Sequence, residues 1–300
     1  MDWAKTNVID SRVIKIIALL LMTIDHLAVV FFSPIDGVVF RIIGRSAAPL
    51  FVFLLVQSFF YTRSREKMLI RLYVGSVATS IVFVVIAYCF NIHYDSHFMI
   101  VLANLFMILY LHEKYKISGY RRIFLWIGYY GMQLLTAALI LLILNYIPSE
   151  FLILLKALFL NVLLCDSFGL MFILLGVLFY TNHNNKKKCV FGCLMVGLSC
   201  IILINCGVLY RLIRGIYDSI YKVSPIMSEI FDGYVRLRAL PIFANEMTIF
   251  QYQWLMIFAI PFLILYRDRW IEQRKNRYLA YVYYPVHYFV LYAIRFLFMR

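Results

Sequence analysis

The sequence predicts an all-α fold: a polytopic integral membrane helical bundle of about nine transmembrane helices, with its N-terminus on the cytoplasmic side. Three observations predict it. Of the 300 residues 64% are hydrophobic and 15% charged, with a mean hydropathy of +0.85, whereas soluble domains average about half and a quarter. Apolar runs near the roughly 20 residues that span a bilayer recur along the whole chain. The 29 lysines and arginines fall in short clusters between those runs.

The first run, about 13–33, follows Lys5, Arg12 and Lys15 as the apolar part of a signal peptide would. Asp25 and His26 interrupt it and no small-residue cleavage site follows, so it reads as a retained first helix. Runs at about 42–62 and 68–90 come next, then 98–111, which is short for a crossing, and 123–147. The run 151–180 is long and contains Lys156 and Asp166. It reads as a half-helix at the interface before a true span, a place where Lys156 can snorkel toward headgroups. The last runs are 189–210, 251–266 and 278–298. Between them, 211–250 is a long hydrophilic connection carrying Tyr217, Tyr221, Phe231 and Tyr234, which predicts an ordered extracytoplasmic cap. The organisation expected is therefore a single membrane-embedded domain over 1–300 with that cap.

Charge sets the orientation and excludes one class of partner. A net charge of +14 suits polyanion binding, but its clusters at Arg63 to Lys67, Lys114 to Arg122, Lys186 to Lys188 and Arg267 to Arg277 all lie between apolar runs. With the N-terminus inside, 19 of the 29 basic residues face the cytoplasm, as the positive-inside rule requires. No nucleic-acid partner is expected. The six cysteines lie in or beside apolar runs without CxxC pairing, which indicates neither a zinc site nor a disulfide framework. Cys189, Cys193 and Cys200 share one helical face and read as small-residue packing.

An ionisable side chain facing lipid costs at least a few kcal/mol, so those within the spans point to the interior or to a cavity. Asp25 and His26 lie in the first helix, where a carboxylate beside an imidazole can fix its tautomer and raise its basicity. Adjacent helical residues diverge by about 100°, so the two need not touch, and an interhelical hydrogen bond or salt bridge is the alternative reading. Arg41 and Arg45 lie four apart at the start of the second helix. They can neutralise Asp25, hold an anionic oxygen of a substrate, or serve as interfacial anchors. Gly44, Ala47 and Ala48 beside them allow a close helix neighbour. His287 sits inside the last run, two residues after Pro285, a residue that bends helices near intramembrane sites. Gln253 and Trp254 open the eighth run and read first as an interface anchor, second as a polar site. No HExxH, GxSxG, Walker or GxGxxG motif is present, and no metal site is expected. From these residues alone the choice lies between a membrane enzyme and a transporter.

Four segments narrow that choice: KIIALLLMTIDHLAVVFF, RIIGRSAAPLFVFLLVQSFFYTRSREKMLIRLYV, QWLMIFAIPFLILYRDR and YLAYVYYPVHYFVLYAI. In this order they resemble the TraX family of conjugal-transfer pilin acetylases and their bacterial homologues, above all in Asp25–His26, in Gly44 to Phe51 and in Tyr284 to His287. The turn after the eighth run, Tyr266 to Trp270, departs from the family's YNGxRG-like pattern, as Gln57 and Ser58 depart from its usual glutamate and glycine.

The resemblance implies a multi-pass acetyltransferase of the bacterial cytoplasmic membrane. It would use cytoplasmic acetyl-CoA to modify an extracytoplasmic peptide or glycan acceptor. It implies His26 as the catalytic residue, with Asp25, Arg41, Arg45 and His287 as companions, and directs attention to Gln253, Trp254 and Tyr284 for substrate. Arg63, Arg65 and Lys67 can hold the coenzyme A phosphates, or be ordinary positive-inside loop charges. A secondary transporter or flippase for a small anion or lipid-linked substrate is the competing class, since it also needs intramembrane Asp, His and Arg. Against it, the sequence shows no inverted repeat and no paired Gly/Pro-broken helices.

Overall fold

The computed structural model describes residues 9–33, 36–91, 97–115, 120–143, 146, 148–165, 169–205, 252–267 and 279–298. These residues are mostly helical, joined by short turns, with one isolated backbone bridge and no strand among them. The helices are α1 (Ser11–Phe31), α2 (Val38–Gly44), α3 (Ala47–Tyr61), α4 (Arg65–Phe90), α5 (Phe98–Lys114) and α6 (Tyr120–Ile143). Then follow α7 (Ser149–Leu158), α8 (Gly169–Thr181), α9 (Lys186–Cys200), a 3-10 helix (Tyr252–Ala259) that runs into α10 (Ile260–Leu265), and α11 (Leu279–Phe298). Among the described residues four stretches are long and apolar enough to cross a membrane: Ser11–Phe31, Val38–Tyr61, Arg65–Phe90 and Ile123–Ile143. The expected cap at 211–250 lies outside the described residues.

The chain divides into two compact units. The first comprises Met1–Arg65, Leu174–Ile201 and Ile249–Arg300. Its α1 begins because Asp10 accepts from the backbone N–H groups of Arg12 and Val13 at 2.9 and 3.0 Å, satisfying two donors that the first turn leaves open. Ile14, Ala18, Met22 and His26 recur every four residues and are buried, while Val13, Ile16, Leu20 and Val29 on other faces are exposed. An apolar exposed face is what a helix presents to lipid, and the stripe at four-residue spacing is what it presents to its neighbours. Those neighbours are α2, α3 and α11. Helix α3 is buried continuously from Val52 to Phe59. A helix apolar all round belongs inside a bundle.

The start and finish of this unit are tied by backbone. Ile9 N–H donates to the Leu265 carbonyl at 3.0 Å and Arg267 N–H donates to the Ile9 carbonyl at 2.7 Å. Lys186 Nζ donates to the carbonyls of Ile264, at 3.0 Å, and Tyr266, so a lysine satisfies the open carbonyls at the end of α10.

The second unit comprises Glu66–Ile173 and Ile202–Thr248. Its centre is α5, whose residues from Met99 to Phe106 are buried except at the helix margins. The 98–111 run, short for a crossing, thus lies in a buried helix. Helix α6 turns Ile123, Phe124, Ile127, Leu134, Leu135 and Leu142 outward, and Gln133, Thr136, Ala137 and Ile140 inward. Ala137 and Ile140 form a core with Leu152 and Leu164.

The 151–180 run divides into a short helix and a second one, as expected, and only the place of Lys156 requires a correction. It folds as two helices, α7 and α8, separated by a break in which Leu160 adopts φ 46°. Lys156 is fully buried and does not snorkel to the headgroups. A knot of side-chain amides closes the break. Asn161 N–H donates to the Lys156 carbonyl at 2.8 Å, and the Asn161 amide donates to Gln133 O and Thr136 Oγ1, both at 2.8 Å. Asn161 Oδ1 accepts from Leu164 N–H at 3.0 Å. Asn104 Nδ2 and Gln133 Nε2 both donate to the Leu160 carbonyl, at 2.6 and 3.2 Å. Buried irregular backbone persists only where its polar groups are paired, and these amides pair them.

Candidate functional site

The ionisable residues singled out by sequence converge in the first unit. Asp25 and His26 are neighbours on α1, and the 100° between them sends them to different partners. Asp25 faces α2, where Arg41 Nη1 donates to its Oδ2 at 3.2 Å. Their side chains are 15% and 28% exposed, so the pair is shielded and stronger than a surface ion pair. Gly44 permits the approach: a Cβ there would lie 2.8 Å from Asp25 Cα and 2.9 Å from its Oδ1. Arg45, the residue at which α2 ends, donates from Nη1 to Gln253 Oε1 at 3.1 Å. Gln253 is 3% exposed, so it is a buried polar partner and not an interface anchor. Its burial follows from the packing of the 3-10 helix against α2, α3 and α9. Asp25 Oδ1 and Arg45 Nε are buried and have no hydrogen-bond partner among the described residues.

His26 faces α11. Its Nδ1 lies 2.5 Å from His287 Nε2, and His287 Nδ1 lies 2.8 Å from the Tyr283 carbonyl oxygen. Three aromatic side chains surround the His26 ring: His287 lies edge to edge with it and nearly coplanar, 4.8 Å between centroids, Tyr288 lies tilted at 4.1 Å, and Tyr284 meets it edge-on at 6.0 Å. A second rung forms one turn away, where Tyr283 Oη and Thr23 Oγ1 are 2.6 Å apart. Thr23 donates its proton to Leu19 O at 2.8 Å, so Tyr283 is the donor in that rung. The spacing 23/26 on α1 against 283/287 on α11 is the three- and four-residue spacing of one helix face. Helix α11 continues through Pro285, which is buried within it.

The expectation that Asp25 would fix the tautomer of His26 is therefore not met. No hydrogen bond joins them, and His287 occupies the position foreseen for the carboxylate. Both Arg41 and Arg45 stay within electrostatic reach of the His26 ring. Trp254 is half-buried and its carbonyl oxygen packs on Gly197, where a Cβ would approach to 3.2 Å. Of the basic residues considered for a cofactor, Arg65 lies over the Phe59 ring at 4.4 Å and donates to Phe59 O at 3.4 Å, while Arg63 and Lys67 are exposed. Sequence reasoning missed Thr23, Tyr283 and Tyr288. The available signal was that Thr23 and Tyr283 precede His26 and His287 by one turn on the same faces. No group of three or more His, Cys, Asp and Glu side chains converges as metal ligands among the described residues.

Among the described residues, helices that include four long and apolar enough to cross a membrane bring together a histidine pair, a carboxylate and two guanidiniums, the class of an α-helical protein with a polar site among apolar helices. The chain belongs to the TraX protein family, whose family model matches residues 10–295. It is also 41% identical over 63 residues to the probable fimbrial assembly protein FimC, serogroup H1, of Dichelobacter nodosus. That match covers 20% of this chain, which spans 25% of the relative's length. No solved structure matches the chain.

Proposed function

We propose that this protein is an acetyltransferase of the bacterial inner membrane that moves an acetyl group from cytoplasmic acetyl-CoA to an extracytoplasmic or membrane-associated acceptor. The acceptor is the amine of a pilin-type peptide or the hydroxyl of a surface sugar. The observation that carries this reading is the buried His26–His287 pair at 2.5 Å, set beside the Asp25–Arg41 ion pair. Membership of the TraX family and the likeness to a protein named for fimbrial assembly support the context of a pilus or fimbria.

Acyl transfer from a thioester needs a base for the acceptor and a positive field for the developing oxyanion. His26 removes the proton as the acceptor nitrogen or oxygen attacks the acetyl carbonyl. The carbonyl oxygen, now anionic, is stabilised by Arg45 and Arg41. As the intermediate collapses the carbon–sulfur bond breaks, and His26 returns the proton to the coenzyme A thiolate. Asp25 holds Arg41 in place by their ion pair. Asp25 Oδ1 and the Arg45 Nε–H are an acceptor and a donor left for substrate. Gln253 fixes the Arg45 guanidinium, and Tyr284 lines the same face of α11. Arg63 and Lys67, exposed in the clusters assigned to the cytoplasmic side, meet the coenzyme A phosphates, with Arg65 held against Phe59 beside them in sequence.

The test is purified protein in detergent or nanodiscs, incubated with radiolabelled acetyl-CoA and with membrane extract as the source of acceptor. Label should transfer to an acceptor, and His26→Ala should lower the rate by roughly 100-fold to 10,000-fold while acetyl-CoA still binds. A folded His26→Ala protein that transfers acetyl at the normal rate would refute the assignment of the base.

A further inference from the structure

We infer that His287 is the positioning residue that sets the tautomer of His26, holding it in the Nδ1–H form so that Nε2 is the basic nitrogen offered to the acceptor. The inference rests on the reading of His26 as the base of an acyl transfer. It replaces the carboxylate that sequence reasoning had placed in this role.

The roles follow from one end of the chain of contacts. The Tyr283 carbonyl oxygen can only accept, so the 2.8 Å contact requires a proton on His287 Nδ1. A neutral imidazole with its proton on Nδ1 has a lone pair on Nε2. That lone pair faces His26 Nδ1 at 2.5 Å, so the shared proton of this contact belongs to His26 Nδ1. A neutral His26 protonated at Nδ1 has its lone pair on Nε2, which has no hydrogen-bond partner among the described residues. The direction of every bond is thus fixed by a backbone carbonyl of α11. Free neutral imidazole side chains prefer the opposite tautomer, so the arrangement imposes a form that His26 would not choose alone.

Geometry adds to this. Tyr288 and Tyr284 pack on the His26 ring and restrict its rotation, and the Thr23–Tyr283 bond one turn away pins α1 to α11 at the same register. Asp25 cannot share the task, because its Oδ2 is engaged by Arg41 and it makes no bond to His26. During transfer, His26 Nε2 gains the acceptor's proton and the resulting positive charge is shared toward His287 Nε2 through the hydrogen bond between the rings. The proton leaves again from His26 Nε2 to the thiolate, so His287 ends the cycle unchanged.

The experiment is nitrogen-15 NMR of the full-length protein labelled at its histidines, with the His26 and His287 signals assigned from His26→Ala and His287→Leu. In the wild type both residues should show a protonated Nδ1 and an unprotonated Nε2. A His26 protonated at Nε2, or either ring protonated on both nitrogens, overturns the inference. In His287→Leu, His26 should revert to the Nε2–H form, and kcat should fall by roughly 100-fold or more with KM for acetyl-CoA unchanged, as expected when a base is held in the wrong tautomer.

His287→Gln places an amide oxygen where the accepting nitrogen stands. It should keep the Nδ1–H form of His26 and hold kcat within about tenfold of wild type. An unchanged kcat in His287→Leu, or a His287→Gln as impaired as His287→Leu, also counts against it. Should His287→Leu fail to fold, the wild-type tautomers and His287→Gln carry the test. The NMR result does not depend on activity, so a normally active His26→Ala would sink the reading of His26 as the base and leave the tautomer assignment to stand or fall by itself.

Discussion

At Gly44 the absence of a side chain decides how the candidate site is built. The α1–α2 contact brings Asp25 so near that an added methyl would meet backbone at 2.8 Å, an atom that cannot rotate away. Gly44→Ala must therefore push the two helices apart and stretch the 3.2 Å Arg41–Asp25 contact. Forcing one methyl into such a contact costs roughly 1–3 kcal/mol. We expect a lowered melting temperature in detergent together with reduced acetyl transfer. Unchanged values for both would mean that the helices adapt and that the ion pair does not depend on their closeness. Residue-scale reasoning from sequence saw the small residue and the two charges here, because side-chain type is local information. It did not see that adjacent Asp25 and His26 divide between α2 and α11, because which element lies on each side of α1 is not local.

On the scale of elements, the break between α7 and α8 is legible in the sequence only as a short helix set before a second one, without the backbone geometry that makes it. Hydropathy registers the composition of 151–180 and is blind to a left-handed residue such as Leu160 within it. The knot that stabilises the break is centred on Asn161, which is fully buried and whose side chain serves Gln133 O, Thr136 Oγ1 and Leu164 N–H. Asn161→Leu leaves the Leu164 N–H unpaired and takes one of their bonds from Gln133 O and Thr136 Oγ1, which still bond to each other, at about 1–3 kcal/mol for a buried group left without a partner. Thermal unfolding should show a large loss of stability. Leu134→Ala, on the exposed face of the adjacent helix, should change stability by no more than about 0.5 kcal/mol. Equal effects from the two substitutions would deny the knot its structural role. Lys156, placed at headgroup level from its position in an apolar run, is instead fully buried.

For the whole molecule, orientation rests on the 19 basic residues that the sequence assigns to one side. Single-cysteine labelling in intact cells should find 63–67, 183–188 and 269–276 protected as cytoplasmic and 220–245 accessible from outside. The last two segments lie outside the described residues. Accessibility of 183–188 from outside would reverse the topology, and with it the side from which acetyl-CoA must enter.

The sequence by itself determined that the described residues are helical, that four of their stretches are long and apolar enough for a membrane, and which polar residues within such stretches are too costly to face lipid. Each of these depends on composition and on spacing within one helix. The family was legible as well, since the motifs around Asp25, Gly44 and His287 stand in order along the chain and the family model covers residues 10–295. Only the tertiary structure decided the partners: His26 with His287, 261 positions apart, and Arg45 with Gln253, 208 apart. Such pairings arise from which helix faces pack together. That choice is set by the summed contacts of whole helices, by a glycine that lets two of them close, and by the need to satisfy every buried polar group within the bundle.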